Sequence, residues 1–263
     1  MVLALLAAAS TVFAYKFPAG VAHNYDFTAS FQGFIPVLGG HEGKVDVEMA
    51  IAVEGLAPSS SDAFRASTEV KSFKMRFNDA ALPLNVDNIK EYFPKTTISA
   101  QPSGKVTHTD APDKRLPVRL PGLDVKRFPE ISFLPIELPD SSIEVGREWT
   151  FSRPFSGNPI EYRCKVASLE GDRATIEVTL RQTYTVLESE TLEVVDSESE
   201  AVRKVETLLT GGGTVIFDGS IGAACEVRLS GRAVSQVLDL KTKEKSERTL
   251  TSELRVKLRQ PKS

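Results

Sequence analysis

Histidine and cysteine are scarce in this chain of 263 residues, which carries three of the first and two of the second. His23, His41 and His108 stand far apart, none in a metal-spaced pair and none near a cysteine in sequence. Metal centres recognisable from sequence need several such ligands at short, regular spacings, so none is assigned. An excess of positive charge is also missing. Lys and Arg number 32 against 35 Asp and Glu, the net charge is −3, and no aromatic-plus-basic stripe is present. A nucleic-acid surface needs that field, and none is expected. Gly219-Ser220-Ile221-Gly222 lacks the spacing of a nucleophile elbow. The triple glycine Gly211 to Gly213 lacks the lysine and Ser/Thr of a phosphate loop and leads into a strand pattern where a helix should begin. Acidic residues are plentiful, but no motif selects a hydrolytic pair among them. No catalytic residue, cofactor or metal is therefore assigned, and the reading is non-enzymatic.

Long apolar runs are absent beyond the N-terminus, so no transmembrane helix is expected in the mature chain. Val2 to Ala9 is apolar, and Val12-Phe13-Ala14 places small residues where an export peptidase reads them. This predicts a signal peptide over 1–14, cleavage after Ala14, and an extracytoplasmic (periplasmic or secreted) protein beginning at Tyr15. The charged segment that usually opens such a leader is missing, and an ordinary buried element is the alternative. No cysteine follows the cut, which leaves a lipid anchor there without support.

What the chain has in abundance is alternation. His23, Tyr25, Phe27, Ala29 and Phe31 share one face; Val45, Val47, Met49, Ile51 and Val53 share another. Ile176, Val178, Leu180, Tyr184 and Val186 repeat the pattern, as do Leu250, Leu254, Val256 and Leu258 near the C-terminus. A period of two buries one face of a sheet and wets the other. The phase slips between Val70 and Phe73, which predicts a β-bulge near Ser72. A second slip is read at Gly231, between Leu229 and Val234. Long, bent, one-sided strands predict an all-β fold: a curved antiparallel sheet, half-barrel or sandwich-like, with one or two short helices.

Six prolines between Ala111 and Pro139 preclude a central strand there, so 111–139 is read as a crossover pinned by Leu116, Leu120, Phe128, Phe133 and Leu134. It separates an N-terminal β half, 15–110, from a C-terminal one, 140–263. The halves open alike, with Gly20 before Tyr25-Asp-Phe27 and Gly146 before Trp149-Thr-Phe151, so they are either two related halves or a coincidence of β-rich sequence. Val86 to Phe93 has helical spacing and stops at Pro94. Ser197 to Leu209 fits either a helix, through Ser197-x-x-Glu200, or the approach to a strand.

Cys164 and Cys225 both fall on the apolar faces of their strands. They are either a single disulfide, allowed after export, or two separate buried thiols. Asp218 fits a turn in which its carboxylate accepts backbone amides. The connection Phe34-Ile35-Pro36-Val37-Leu38-Gly39-Gly40 is unusually apolar for a loop. Phe34, Ile35, Val37 and Leu38 are candidate contacts for a lipid, an apolar ligand or a partner; the alternative is that they fold back over one open end of the sheet.

The Gly146-x-x-Trp149 element and the hairpin Gly213-x-Val215-x-Phe217-Asp218-x-x-x-Gly222 together resemble those of exported bacterial β-rich proteins with no assigned function. The resemblance covers most of the second half and implies no substrate, cofactor or catalytic residue. The reading at this point is an exported binding or carrier module of the cell envelope, with a possible apolar ligand or envelope-protein partner. Its rivals are a structural or adhesion module and a hydrolase with a site assembled from distant residues.

Overall fold

The structure is a computed structural model that describes residues 12–35, 40–60, 63–84, 86–90, 92–110, 127–154 and 158–259. The strands are β1 (Ala22–Ile35), β2 (His41–Ser60), β3 (Ala63–Phe77), β4 (Ala80–Ala81), β5 (Thr96–Ala100), β6 (Val106–Asp110) and β7 (Glu148–Arg153). They continue with β8 (Ile160–Glu170), β9 (Arg173–Glu188), β10 (Val194–Val195), β11 (Arg203–Asp218), β12 (Ala223–Asp239) and β13 (Lys245–Leu258). The described residues also form two short helices, α1 (Val86–Ile89) and α2 (Phe128–Ser132). All strands belong to one 13-stranded antiparallel sheet that is not closed into a barrel.

Across the sheet the order is β6-β5-β3-β2-β1-β13-β12-β11-β9-β8-β7, with β4 on β3 and β10 on β9. Two meanders thus meet at a central seam, where β1 pairs with β13 from Tyr25 opposite Leu258 to Gly33 opposite Leu250. This topology puts β6 at one edge and β7 at the other. The chain between them links the two edges, and its described part, 127–143, lies against the apolar face.

Alternation sets that face strand by strand. Tyr25, Phe27, Ala29 and Phe31 on β1, Val45, Val47, Met49, Ile51 and Val53 on β2, and Tyr162, Cys164 and Val166 on β8 all point inward and are buried. The sheet curls toward this face. Arg248 on β13 reaches Glu188 on β9 at 2.7 Å although β12 and β11 lie between them. Three flat interstrand steps would separate their backbones by about 14 Å. Glycine permits the close approach this bending needs. A Cβ on Gly33, whose φ is +126°, would sit 2.2 Å from the Thr249 carbonyl oxygen.

The bulge expected near Ser72 is present: Ala50 lies opposite Ser72 and Ile51 opposite Val70, which leaves Lys71 extra. The slip expected at Gly231 is not. β11 and β12 run in unbroken register from Arg203 opposite Asp239 to Ile216 opposite Glu226, and Ala233 and Val237 continue the inward face of Val227. The irregularity falls instead between Ile216 and Phe217, beside Cys225. Val234 misleads because it is partly covered on the opposite face.

At Ser197 to Leu209 the strand prevails. β11 pairs with β9 along one side and β12 along the other, and a doubly paired strand outweighs local helix propensity. Ser197 and Glu200 form only a turn, with the Glu200 amide donating to the Ser197 carbonyl. Helix α1 confirms the spacing read at Val86 to Phe93, although it is only one turn long. Helix α2 opens with Pro129 near its first position, where the missing amide costs nothing.

Candidate functional site

The inner face of the curled sheet forms a trough whose floor is apolar: Tyr25, Phe27, Ile51, Val215, Phe217, Val227 and Val256 are each at most 2% exposed. Two pieces of the same chain fill it. The first is residues 12–17, where Phe13, Tyr15 and Phe17 alternate inward and are buried. Phe13 stacks on Phe217 at 5.6 Å, and Tyr15 meets the same ring edge-on at 4.9 Å. The second is the crossover from Arg127 to Ile143. Phe133, Leu134 and Ile136 are fully buried, and Phe128 packs on Phe27 at 5.6 Å and on Phe93 at 5.3 Å. Full burial of each such side chain contributes about 2 kcal/mol.

The crossover contributes no strand to the sheet, so its polar backbone is satisfied piecemeal. The Tyr15 hydroxyl donates to the Ile136 carbonyl at 3.1 Å, the Trp149 indole N–H to Glu137 O at 2.7 Å, and the Leu138 amide to Ser103 O at 2.7 Å. Arg153, on edge strand β7, is the main fastening. It is 1% exposed and donates to the carbonyls of Leu134 (3.0 Å), Pro135 (3.2 Å) and Glu130 (3.3 Å), and to Glu137 Oε1 at 3.4 Å. Its guanidinium also lies 5.1 Å from the Phe151 ring centre and 5.5 Å from that of Tyr162. A buried cation is tolerable only with its donors satisfied in this way. Arg127 adds a 2.6 Å ion pair to Glu130 and a hydrogen bond to the Pro154 carbonyl.

One floor phenol is not satisfied. The Tyr25 hydroxyl is buried and has no hydrogen-bond partner among the described residues. Its ring lies beside Phe133, with centres 6.3 Å apart. Burial, then the neighbouring Tyr15 and Cys225, push its titration well above the ordinary phenol range. Burial likewise raises Tyr15, with Arg153 opposing, and pushes the Cys164 thiol up to about 12 against the pull of Arg153. His23, beside Phe17 at 5.2 Å, is held below its usual value by burial.

Packing in the trough is tight. A gap of about 10 Å³ lies between Thr68, Val70 and Thr96 on the floor and Phe93, Pro94 and Phe128 above, room for about one water. A broader hollow of about 270 Å³ lies outside the trough, on the outer side of β11–β13, lined mainly by Lys204, Glu206, Gln236, Leu238 and Lys245. Its charged, open lining offers an apolar ligand little.

The apolar loop divides. Ile35 is fully buried, and Phe34 is half-buried beneath the Arg248 guanidinium, 4.1 Å from its ring centre. Val37 and Leu38 lie outside the described residues. The Arg248–Glu188 pair and Phe34 together fasten one end of the trough. Cys164 and Cys225 are free thiols, Cys164 buried and Cys225 half-buried. The disulfide is not formed, because strands β9 and β11 stand between β8 and β12. That separation exceeds the roughly 7 Å Cα limit of a bridge. Asp218 takes the turn role read from the sequence. Burial alone would raise its carboxyl, but Ser220, the amides of Ile221 and Ser220, and Arg173 hold it low. Among the described residues no three His, Cys, Asp or Glu side chains gather as a metal site.

Sequence reasoning missed Arg153 and the N-terminal filling. Both had a signal. Trp149-x-Phe151-x-Arg153 carries an inward period onto a charge, and Phe13-x-Tyr15-x-Phe17 alternates across the expected leader cut.

No family model matches the sequence, and no curated protein does either. Among solved structures, one described by lipid–protein interactions in lipovitellin aligns with TM-score 0.54 and 13% identity, over 94% of this chain and 26% of that one. This chain therefore spans about a quarter of the lipovitellin chain. Weaker alignments reach DynF of the dynemicin pathway of Micromonospora chersina (TM-score 0.24, 9% identity, 95% of this chain and 85% of that one) and an outer membrane channel of Pseudomonas putida F1 (TM-score 0.18, 8% identity, 92% and 97%). The lipovitellin alignment shows a shared curved-sheet fold, and the other two fall too low to carry an argument.

Proposed function

We propose that the protein is a non-enzymatic binding or carrier module, exported to the cell envelope, that holds an apolar ligand on the inner face of its sheet. The observation that carries this reading is the cover of the trough. An apolar floor is occupied by the chain's own crossover, which adds no strand to the sheet and is fastened mainly by side chains of β7 and of residues 12–17. An occupant held this way can be exchanged for a ligand of like polarity without breaking the sheet. Lipovitellin, which has this fold and is described by its lipid–protein interactions, supports a lipid-like ligand.

Export follows the leader reading of residues 1–14. Cleavage after Ala14 would remove Phe13 from Phe217 and open the trough at that end. Native mass spectrometry of protein purified from its own envelope tests both points. The expected result is a chain beginning at Tyr15 that carries a lipid-sized adduct. Bare chain under conditions that preserve complexes would overturn the carrier reading.

The tight interior favours a second reading, a structural or adhesion module acting through protein–protein contacts. Both sheet edges, β6 and β7, are free of strand partners among the described residues. This reading expects oligomers joined through those edges and no adduct in the same spectrum.

A further inference from the structure

Among the described residues, Tyr25 is the one phenol on the trough floor without a hydrogen-bond partner. It is 1% exposed, its hydroxyl is buried with no partner among the described residues, and its ring lies 6.3 Å from that of Phe133 in the crossover. Tyr15, the nearby phenol, is satisfied by the Ile136 carbonyl at 3.1 Å. An unsatisfied buried hydroxyl destabilises the fold, and phenylalanine would fill the same space without that cost. The ring sits where the cover and the floor meet.

From this juxtaposition we propose that Tyr25 is the polar anchor of a ligand site under Phe133 and Leu134, and that the ligand is a neutral acyl ester of single-chain lipid type. The inference rests on the apolar-ligand reading above and narrows it. The phenol donates to the ester carbonyl, and the acyl chain takes the place of Phe133 and Leu134 on the floor. A neutral acceptor suits the site better than a carboxylate. Arg153, the cation that holds Leu134, is already occupied by three carbonyls and Glu137, and a bare carboxylate among these apolar groups would be desolvated without compensation.

The test compares methyl palmitate, heptadecane and palmitate, delivered from cyclodextrin to the purified full chain and measured by equilibrium dialysis. Wild-type protein is expected to bind the ester about fivefold more tightly than the matched alkane, the size of one net buried hydrogen bond, and more tightly than the carboxylate. Tyr25→Phe is expected to bind the alkane as wild type does, to lose the preference for the ester, and to unfold in urea at the same or a higher midpoint. A Tyr25→Phe protein that retains the ester preference would overturn the anchor while leaving an apolar-ligand carrier intact. Equal binding of ester and alkane by wild type would do the same, and tighter binding of palmitate would overturn the ligand class. If none of the three probes binds, the carrier reading fails and the anchor with it.

Discussion

Arg153 shows how much one side chain can hold in place. Its four hydrogen-bonded acceptors all lie in the crossover, between Glu130 and Glu137, while its backbone belongs to edge strand β7. Removing the guanidinium strands three carbonyls and leaves Glu137 without its cation. Arg153→Met should therefore lower stability by about 3–5 kcal/mol, read as a shift in urea midpoint. An unchanged midpoint would mean that the cover is not fastened there. His23 gives a second prediction at the same scale. Burial lowers its folded pKa below the ordinary 6.5, so the unfolded chain takes up a proton first on acidification. Stability should be full above about pH 7 and fall as pH drops through 6.5, until the folded imidazole also charges. His23→Phe should flatten that part of the stability–pH curve, and an unaltered slope would assign it to other groups.

Elements report their register reliably and their bends less so. The bulge near Ser72 was legible because apolar residues change parity across it and stay changed. The apparent slip at Gly231 rested on Val234 alone, a residue half-covered on the outer face, whereas Ala233 and Val237 hold the inner one. Parity read from large apolar residues overlooks alanine, glycine and serine, which line much of β12. The sharp bends were equally hidden, since they depend on how closely two backbones approach. Gly33 marks one of them. Alanine there would place its Cβ 2.2 Å from the Thr249 carbonyl oxygen, at a φ of +126° that side chains rarely adopt. Gly33→Ala should cost about 2–3 kcal/mol and weaken the β1–β13 seam. Hydrogen exchange should show faster opening at Thr249 to Ser252 than in β8 and β9, and uniform exchange would deny the seam this role.

Over the whole molecule, strand order explains what composition could not. Pro-rich character marked 111–139 as a crossover, and its apolar residues marked it as pinned. Its route across the trough follows only from knowing that β6 and β7 occupy opposite edges, which is a property of pairing between distant strands. For the same reason the trough floor was legible as a set of alternating apolar residues, while its occupants were not. The N-terminal segment makes the point most sharply. Phe13 reads as part of a leader and Tyr15 as the mature start, yet Phe13, Tyr15 and Phe17 all pack in the core, with Phe13 lying over both Phe217 and Gly219. A chain beginning at Tyr15 loses the Phe13 ring. The vacated space faces the apolar floor at Phe217, and the Tyr15 nitrogen, which donates to Pro102 O at 2.7 Å, becomes the ammonium terminus. Deleting a buried phenylalanine costs about 3–5 kcal/mol, so the chain from Tyr15 should unfold at a clearly lower urea concentration than the chain from Val12. It should also bind an apolar dye that the longer chain excludes, and methyl palmitate should raise its unfolding midpoint more than that of the longer chain. Equal stability and equal dye binding would show that Phe13 does not seal the trough, and export would then have no bearing on its opening.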